Sequence, residues 1–364
     1  MNPKDVVGRL RRGEMSRRDF AAVLAAAGIG LAVGTASRSA RANANLMVYE
    51  WASYEDPVFY PEFLAKHEAP SYAFFAGEEE ALQKLLAGFE ADLTHPCTAS
   101  INRWREAGVI KPIDTSRIER WSEIIPELLT FKGVDHDGKT WFMPWDWGFS
   151  AIAYRPDLLP ADNPTFALLL DPRAAGKVGM NQQFDVALAV AGQIAGFKDL
   201  FNPTDEEAAK LPELWKQLVK SSRFLWSDST EVENAMANGE VSIAYLWGSS
   251  IKNLRDQGIP LELVPPVLPW ACGLVLNTGG KGDEDLAYEY LNALLDPEGG
   301  KNLIGWGYGH ANVNSFKLVD PALLASLGFS DVSTLFAQGK VFDEVAPDKR
   351  DQLIQLWEEA RAGL

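Results

Sequence analysis

Short apolar runs of strand length alternate with amphipathic helical stretches along most of this chain. The first run, LMVYEW at 46–51, is followed by Asp56-Pro57, an acid and a proline that favour the start of a helix. The next predicted units are a strand at 71–75, a helix at 78–89, a strand at 91–96 and a helix at 98–108. This alternation predicts an α/β protein with a mainly parallel sheet, in which binding residues collect at the carboxyl ends of strands.

The segment 141–154, WFMPWDWGFSAIAY, is extended and predicts a crossing between two halves of the protein. The run at 261–278, rich in proline, is predicted to return to the first half. Between and after them we predict strands at 175–182 and 240–248 and helices at 184–196, 228–240, 284–307 (interrupted at 296–297) and from 321 onward. The predicted organisation is two lobes, residues 45–147 with 273–318 and residues 148–272 with 319–364.

The first 42 residues have the features of a cleaved signal peptide. A basic start precedes an apolar run at 21–34, which is too short and too rich in alanine and glycine to favour a permanent membrane anchor. Ala40-Arg41-Ala42 is a cleavage pattern, with cleavage after Ala44 as the alternative. The SRRDF motif at 16–20 resembles a twin-arginine export signal, so we expect the twin-arginine machinery to deliver the mature protein to the periplasm.

The charge of the chain excludes one class of partner. The net charge is -16, and residues 43–364 hold 26 Lys and Arg against 47 Asp and Glu, a balance near -21. A surface this acidic repels phosphate groups, so nucleic acid and anionic lipid are not expected partners.

Recognised catalytic, metal and cofactor motifs are absent from the sequence, so we predict no cofactor and no metal. The histidines are scattered, at His67, His95, His136 and His310. Cys97 and Cys272 form no C-x-x-C motif; we favour free, partly buried thiols, although an oxidising compartment would also allow a disulfide.

Tryptophan is frequent, with 12 in 364 residues, and several tryptophans fall at predicted strand ends or in loops. These are Trp51, Trp145, Trp147, Trp247 and Trp270. For any one of them core packing is the better expectation. Together, at the mouths of two lobes, they predict an aromatic cleft suited to alkyl chains and cations.

The order and spacing of five motifs resemble those of the periplasmic substrate-binding proteins of ABC importers, most closely the spermidine/putrescine-binding branch. The motifs are LMVYEWASY (46–54), ADLTHPCTASINRWREAGVIKPID (91–114), PWDWGFSAIAY (144–154), NGEVSIAYLWGSS (238–250) and GYGHAN (307–312). The resemblance implies an α/β, two-lobed periplasmic-binding-protein fold of type II with hinge-linked lobes. It also implies capture of a small amine or organic cation in the cleft, delivery to ABC permease subunits in the inner membrane, and no chemistry on the ligand.

With the aromatic argument, the resemblance implies a set of ligand-binding residues. They are Trp51, Tyr54, Cys97, Trp145, Trp147, Gln183, Trp247, Trp270, Cys272, Tyr308 and Phe342. Several of these replace other residues of the family: Cys97 stands for a serine, and Gln183 and Cys272 for acids. Val186, which is not in the set, also falls at an acidic position.

Without those acids, recognition of both ends of a diamine is not expected, because a buried cation needs a paired charge. Asp146 or Asp185 are the candidates to substitute. Phe342 further stands where a glutamine is common. The residues therefore favour a ligand with one diffuse cationic head, such as a quaternary ammonium. The polyamine that the resemblance implies is the other candidate ligand.

An alternative from a different class is a periplasmic enzyme that uses the same cleft with Cys97 as the nucleophile. Twin-arginine export, which many cofactor-loaded enzymes use, is its main support. A further hypothesis is that oxidation of Cys97 and Cys272 blocks the cleft if both line it.

Overall fold

The computed structural model describes residues 43–338 and 341–362, so the predicted signal peptide at 1–42 lies outside the described residues. The strands are β1 Asn43–Trp51, β2 Pro70–Phe75, β3 Leu93–Thr94, β4 Ile110–Lys111, β5 Asp135–His136, β6 Lys139–Thr140, β7 Met143–Tyr154, β8 Val178–Asn181, β9 Ser222–Trp226, β10 Ile243–Trp247, β11 Glu262–Asn277 and β12 Gly309–His310. The α-helices are α1 Pro61–Leu64, α2 Glu78–Leu86, α3 Ile101–Glu106, α4 Phe184–Ala195, α5 Asp205–Ala208, α6 Leu211–Ser221, α7 Ser229–Ala237, α8 Gly248–Asp256, α9 Glu284–Leu294, α10 Pro297–Gly305, α11 Pro321–Leu327, α12 Val332–Gln338 and α13 Pro347–Arg361.

The main sheet has the strand order β2-β1-β3-β11-β7-β10-β8-β9. β1 runs parallel to β2 and β3, and β8 runs parallel to β9 and β10. Between these groups, β7 and β11 are antiparallel to each other and to their outer neighbours. The prediction of a mainly parallel sheet is therefore wrong for the centre, because the chain enters the second group along β7 and returns along β11.

The two central strands are also the longest, with 12 residues in β7 and 16 in β11. Their pairing shifts from Cys272 opposite Asp146 to Gly273 opposite Pro144, which makes Trp145 the extra residue of a bulge in β7. A bulge interrupts the alternation of side chains between the two faces of a strand. As a result, Trp145 and its neighbour Asp146 both approach the same imidazole ring, that of His95.

Most of the predicted elements are present, and the differences have local causes. The strand predicted at 91–96 is shortened to Leu93–Thr94, since Pro96 has no N–H to continue the ladder. The helix predicted at 284–307 is interrupted at Asp296-Pro297 as expected. In α4, residues 186–192 are all buried, so apolar residues surround that part of the helix and its sequence shows little amphipathic pattern.

The buried apolar residues form a large and a small hydrophobic core, and the large one includes residues from both groups of strands. One continuous core surrounds β7, β10 and β8 and extends beneath α9 and α10. A smaller core lies between β1, α2 and α3 around Tyr49, Phe75 and Trp104. Among the described residues, no helix has both the length and the apolar character needed to cross a membrane.

Candidate functional site

Four half-buried aromatic rings meet near the centre of the sheet, and we call them the aromatic cluster: Tyr54, Trp247, Trp270 and Tyr308. The ring centroids of Trp247 and Trp270 are 6.2 Å apart, and those of Trp270 and Tyr308 are 5.6 Å apart. Tyr308 stacks on Tyr54 at 6.2 Å with an interplanar angle of 27°. Four rings that come from separate segments thus share one partly open surface.

Tyr54 is presented by a tight turn directly after β1. Its N–H donates to the carbonyl of Trp51 at 3.3 Å, which closes the turn. Ser53 has φ of 83°, in the left-handed region that residues other than glycine rarely adopt. Backbone strain at such a position is found most often at functional sites.

The two tryptophans and Tyr308 are placed by strand ends and close backbone contacts. Trp247 is the last residue of β10 and precedes α8. Trp270 lies across from Gly148 in the β7–β11 register. Tyr308 accepts a hydrogen bond from the hydroxyl of Ser249 at 3.2 Å, which ties the ring to the first turn of α8.

Gly148→Ala is expected to displace the indole of Trp270, because a Cβ at Gly148 would lie 2.7 Å from a ring carbon. We expect a loss of about 1–3 kcal/mol of unfolding free energy from overpacking, with an altered near-ultraviolet circular dichroism spectrum. Gly77→Ala is the matched control, since a Cβ there meets nothing within 4 Å. Equal spectra and stabilities for the two variants would contradict the tight contact.

Three ionisable side chains lie directly behind the aromatic cluster, and we call them the carboxylate–histidine network: Glu50, His95 and Asp146. They are 0%, 0% and 1% exposed. His95 Nδ1 is 2.5 Å from Glu50 Oε1, and His95 Nε2 is 2.8 Å from Asp146 Oδ1. The hydroxyl of Tyr54 donates to the other oxygen of Asp146 at 2.7 Å, which connects the network to the cluster.

The electrostatics of the network favour a protonated histidine. Burial lowers the pKa of His95, but the nearby carboxylates of Glu50 and Asp146 outweigh it and raise that pKa to about 10. Burial raises the pKa of Glu50, and the charge of His95 opposes this rise. Burial, together with the charge of Asp146, raises the pKa of the Tyr54 hydroxyl well above its usual value, so Tyr54 remains a neutral donor.

Cys97 and Cys272 form a disulfide that joins the loop after β3 to the strand β11. The expectation of free thiols is therefore wrong: an isolated bridge between the two backbones holds the cysteines opposite each other, although 175 residues separate them in sequence. A disulfide sulfur has no thiolate to act as a nucleophile. The alternative of an enzyme with Cys97 as the nucleophile is thus not supported.

Glu78 lies beside the disulfide. Its carboxylate accepts hydrogen bonds from the backbone N–H of Cys97 and, at 2.8 Å, from the hydroxyl of Ser100. Burial raises the pKa of Glu78 to about 7, against the opposing effect of these two donors. Asp185, which with Asp146 is a candidate to substitute for the missing family acids, lies in the first turn of α4. Burial raises the pKa of Asp185 as well.

The other predicted site tryptophans lie behind or outside the aromatic cluster. Trp145 is buried against Tyr54, with ring centroids 5.5 Å apart, and supports the cluster from behind. Trp51 instead packs on Phe75 at 4.4 Å. Trp147 is a fully buried core residue, which packs on Phe329 at 4.7 Å.

Two further predicted residues lie in the second group of strands and in the C-terminal segment. Gln183 is half-buried and precedes α4. Phe342 is buried against Phe201, and its backbone N–H donates to the carbonyl of Pro269 at 2.9 Å. Phe342 thus fixes the C-terminal segment next to Trp270 rather than presenting a polar group.

Sequence reasoning did not single out Glu50 or assign a binding role to His95. One signal was present for Glu50, a lone acid between Tyr49 and Trp51 in an otherwise apolar strand. Buried acids are rare unless they are paired, so such a position predicts a hidden partner. Among the described residues, no group of three or more His, Cys, Asp or Glu is arranged to hold a metal ion.

Known proteins share this sequence pattern and fold. Residues 72–322 match the family described as bacterial extracellular solute-binding protein. The chain is 26% identical over 306 residues to the spermidine/putrescine-binding periplasmic protein of Escherichia coli (strain K12), covering 82% of this chain and 86% of that protein.

Two solved structures illustrate the similarity in fold. The spermidine/putrescine ABC transporter substrate-binding protein PotD from Streptococcus pneumoniae has a TM-score of 0.72 and 18% identity, over 87% of this chain and 98% of that chain. The PBP MotA from A. tumefaciens B6, solved in complex with glucopine, has a TM-score of 0.68 and 16% identity, over 87% and 99% of the two chains. These similarities confirm the two-lobed α/β fold of type II periplasmic binding proteins.

Proposed function

Since the chain belongs to the family of bacterial extracellular solute-binding proteins, we propose that it captures a small amine or organic cation for an ABC importer. The ligand is held between two lobes, released unchanged, and delivered to permease subunits in the inner membrane. The observation that carries this proposal is the aromatic cluster of Tyr54, Trp247, Trp270 and Tyr308. Aromatic faces attract cations by about 0.5–2 kcal/mol each, and they also bury alkyl groups.

The residues of the site favour a ligand with fewer positive charges than the names of the relatives imply. The E. coli relative is named for spermidine and putrescine, which carry several ammonium groups. Here Cys272, at a position where the resemblance implies an acid, is bonded to Cys97, and Gln183 occupies another such position. A site with few carboxylates favours a ligand with one cationic head, such as a quaternary ammonium or a mono-amine.

Hinge closure is supported by contacts that the C-terminal segment makes with the first half of the chain. Arg350 lies 3.7 Å from Glu79, and Lys132 pairs with Asp343. The proposed lobes are 45–147 with 273–318 and 148–272 with 319–364. In this assignment both ion pairs join one lobe to the other, and the central strands β7 and β11 act as the hinge.

The proposed location is the periplasm, reached by twin-arginine export. The support is the SRRDF motif, the apolar run and the Ala40-Arg41-Ala42 cleavage pattern. Replacement of both arginines of the motif by lysine is the direct test, with fractionation of the cells as the measurement.

Ligand identity is tested by a thermal-shift screen of the purified protein with choline, betaines, mono-amines, polyamines and neutral amino acids. A ligand that binds only the native state raises the Tm by mass action. We expect cations with one charge to give the largest shifts. A neutral or anionic compound that gives the only shift would reject the proposed class.

Trp247→Ala is expected to weaken binding of the best cation by about tenfold to a hundredfold, because it removes one aromatic face of the site. Isothermal titration calorimetry measures the affinity. Trp121→Ala is the matched control, since Trp121 is a half-buried tryptophan outside the aromatic cluster. Equal affinities of the two variants would contradict the assignment of the cluster.

A further inference from the structure

The carboxylate–histidine network is almost completely buried, yet it is hydrogen-bonded to the aromatic cluster. Glu50 and His95 are 0% exposed, and Asp146 is 1% exposed. The connection is the hydroxyl of Tyr54, which donates to Asp146 at 2.7 Å. The rings of Tyr54 and His95 also lie nearly perpendicular to each other, with ring centroids 5.0 Å apart. One ring of the cluster is therefore held by this network from behind.

The hydrogen bonds of the network determine its charge. Both ring nitrogens of His95 face carboxylate oxygens, which only accept hydrogen bonds when ionised. When both carboxyl groups are ionised, both nitrogens are donors, and His95 is an imidazolium between two carboxylates. Two negative charges and one positive charge leave the network with a net charge of about -1, by formal count of these groups.

This excess charge lies in a part of the protein that excludes water. Glu50 Oε2 has no hydrogen-bond partner within the described structure, and no positively charged side chain other than His95 is bonded to either carboxylate. In such surroundings an electrostatic effect reaches further than it does in water. Donation from Tyr54 to a carboxylate also increases the electron density of the Tyr54 ring, the face that would meet a cation.

We propose that Glu50, His95 and Asp146 form a buried counter-charge that, through Tyr54, makes the site select a cationic head over a neutral group of the same shape. This inference rests on the proposed function, and it names the residues that make the binding site selective for a positive charge. It explains how the site recognises a cation where the acids implied by the family resemblance are replaced by Gln183 and by Cys272. None of the three residues needs to touch the ligand, so they are positioning residues.

The test compares choline with its neutral carbon isostere, in the wild type and in two charge-removing variants. Asp146→Asn and Glu50→Gln keep the shape of each side chain and remove one negative charge. We expect each variant to bind choline about tenfold more weakly, and the isostere with wild-type affinity. Glu50→Gln is the sharper variant, since Glu50 makes no hydrogen bond to Tyr54.

Asp92→Asn is the matched control, because Asp92 is a buried acid that accepts from the backbone N–H groups of Met47 and Gly282, outside the network. It should leave both affinities unchanged. If both network variants bind choline with wild-type affinity, the proposal of a buried counter-charge is overturned. An equal loss of affinity for choline and for the isostere would also overturn it, because such a loss indicates a structural role. If the wild type binds neither choline nor any other cation of the screen, the proposed function is rejected, and the inference, which rests on it, is rejected as well.

A measurement without ligand tests the charge state directly. Nitrogen chemical shifts of His95 at pH 7 are expected to show both ring nitrogens protonated. A neutral imidazole would remove the basis for a net charge and overturn the inference, whichever ligand the protein binds. The same measurement on His310, a buried histidine whose pKa burial lowers to about 4, provides the reference for a neutral ring.

Discussion

Replacing His95 with leucine is expected to destabilise the folded protein by about 3–5 kcal/mol at pH 7, the usual consequence of removing one partner from a buried ion pair. The variant leaves the carboxylates of Glu50 and Asp146 buried without a positive charge, at 0% and 1% exposure. Urea unfolding, followed by far-ultraviolet circular dichroism, measures the loss.

His310→Leu is the matched control, because His310 is equally buried but has neutral partners. Its Nδ1 lies 2.7 Å from the hydroxyl of Ser315, and its Nε2–H donates to the carbonyl of Leu294 at 2.9 Å. We expect a smaller loss of about 1–3 kcal/mol from the unsatisfied groups. A loss for His95→Leu no larger than that of the control would contradict an ionised network.

The stability of the wild type relative to His95→Leu should also depend on pH. The pKa of His95 is raised from 6.5 to about 10 by Glu50 and Asp146, so folding favours its protonated form. This contribution is fully present below about pH 6.5 and is lost as the pH rises through about 10. The difference between the wild type and His95→Leu should therefore shrink between pH 7 and 10. The pKa of His310 is lowered to about 4, so the His310 control should show no such change.

Removing the disulfide, in the double variant Cys97→Ser/Cys272→Ser, is expected to lower the free energy of unfolding by about 2–5 kcal/mol. The two cysteines are 175 residues apart, so the disulfide closes a long loop in the unfolded chain. It also ties the loop after β3 to β11 beside Asp146. Urea unfolding of the oxidised wild type and of the variant measures the difference.

Reductant provides the control for this prediction. It should lower the stability of the wild type toward that of the double variant and leave the double variant unchanged. Equal stabilities of the oxidised wild type and the double variant would contradict a stabilising disulfide. Ligand affinity with and without reductant then tests the hypothesis that oxidation blocks the cleft; equal affinities would reject it.

Local patterns predicted the elements well. The apolar run at 240–248 predicts a strand that ends in Trp247, and β10 ends at that residue. The helical pattern at 284–307 predicts an interruption at Asp296-Pro297, and the structure has separate helices on either side of it. Such signals depend on neighbours in sequence, so they can be read without the fold.

The individual tryptophans show where this reasoning stops. Trp145 and Trp147 are two residues apart and were predicted to share one role. The bulge in β7 separates their surroundings, so that Trp145 lies against Tyr54 whereas Trp147 packs in the core against Phe329. A bulge depends on pairing with β11, which begins more than 100 residues later in the chain.

The sequence by itself determined the order of strands and helices, the acidic charge and the aromatic residues at strand ends, because each is a local or compositional property. Only the tertiary structure decided that Cys97 meets Cys272 and that His95 meets Glu50 and Asp146, across 175, 45 and 51 residues. The physical reason is that the charge of a buried group is set by the partners that surround it in space. For His95 those partners come from β1 and β7, and only the folded sheet brings them together.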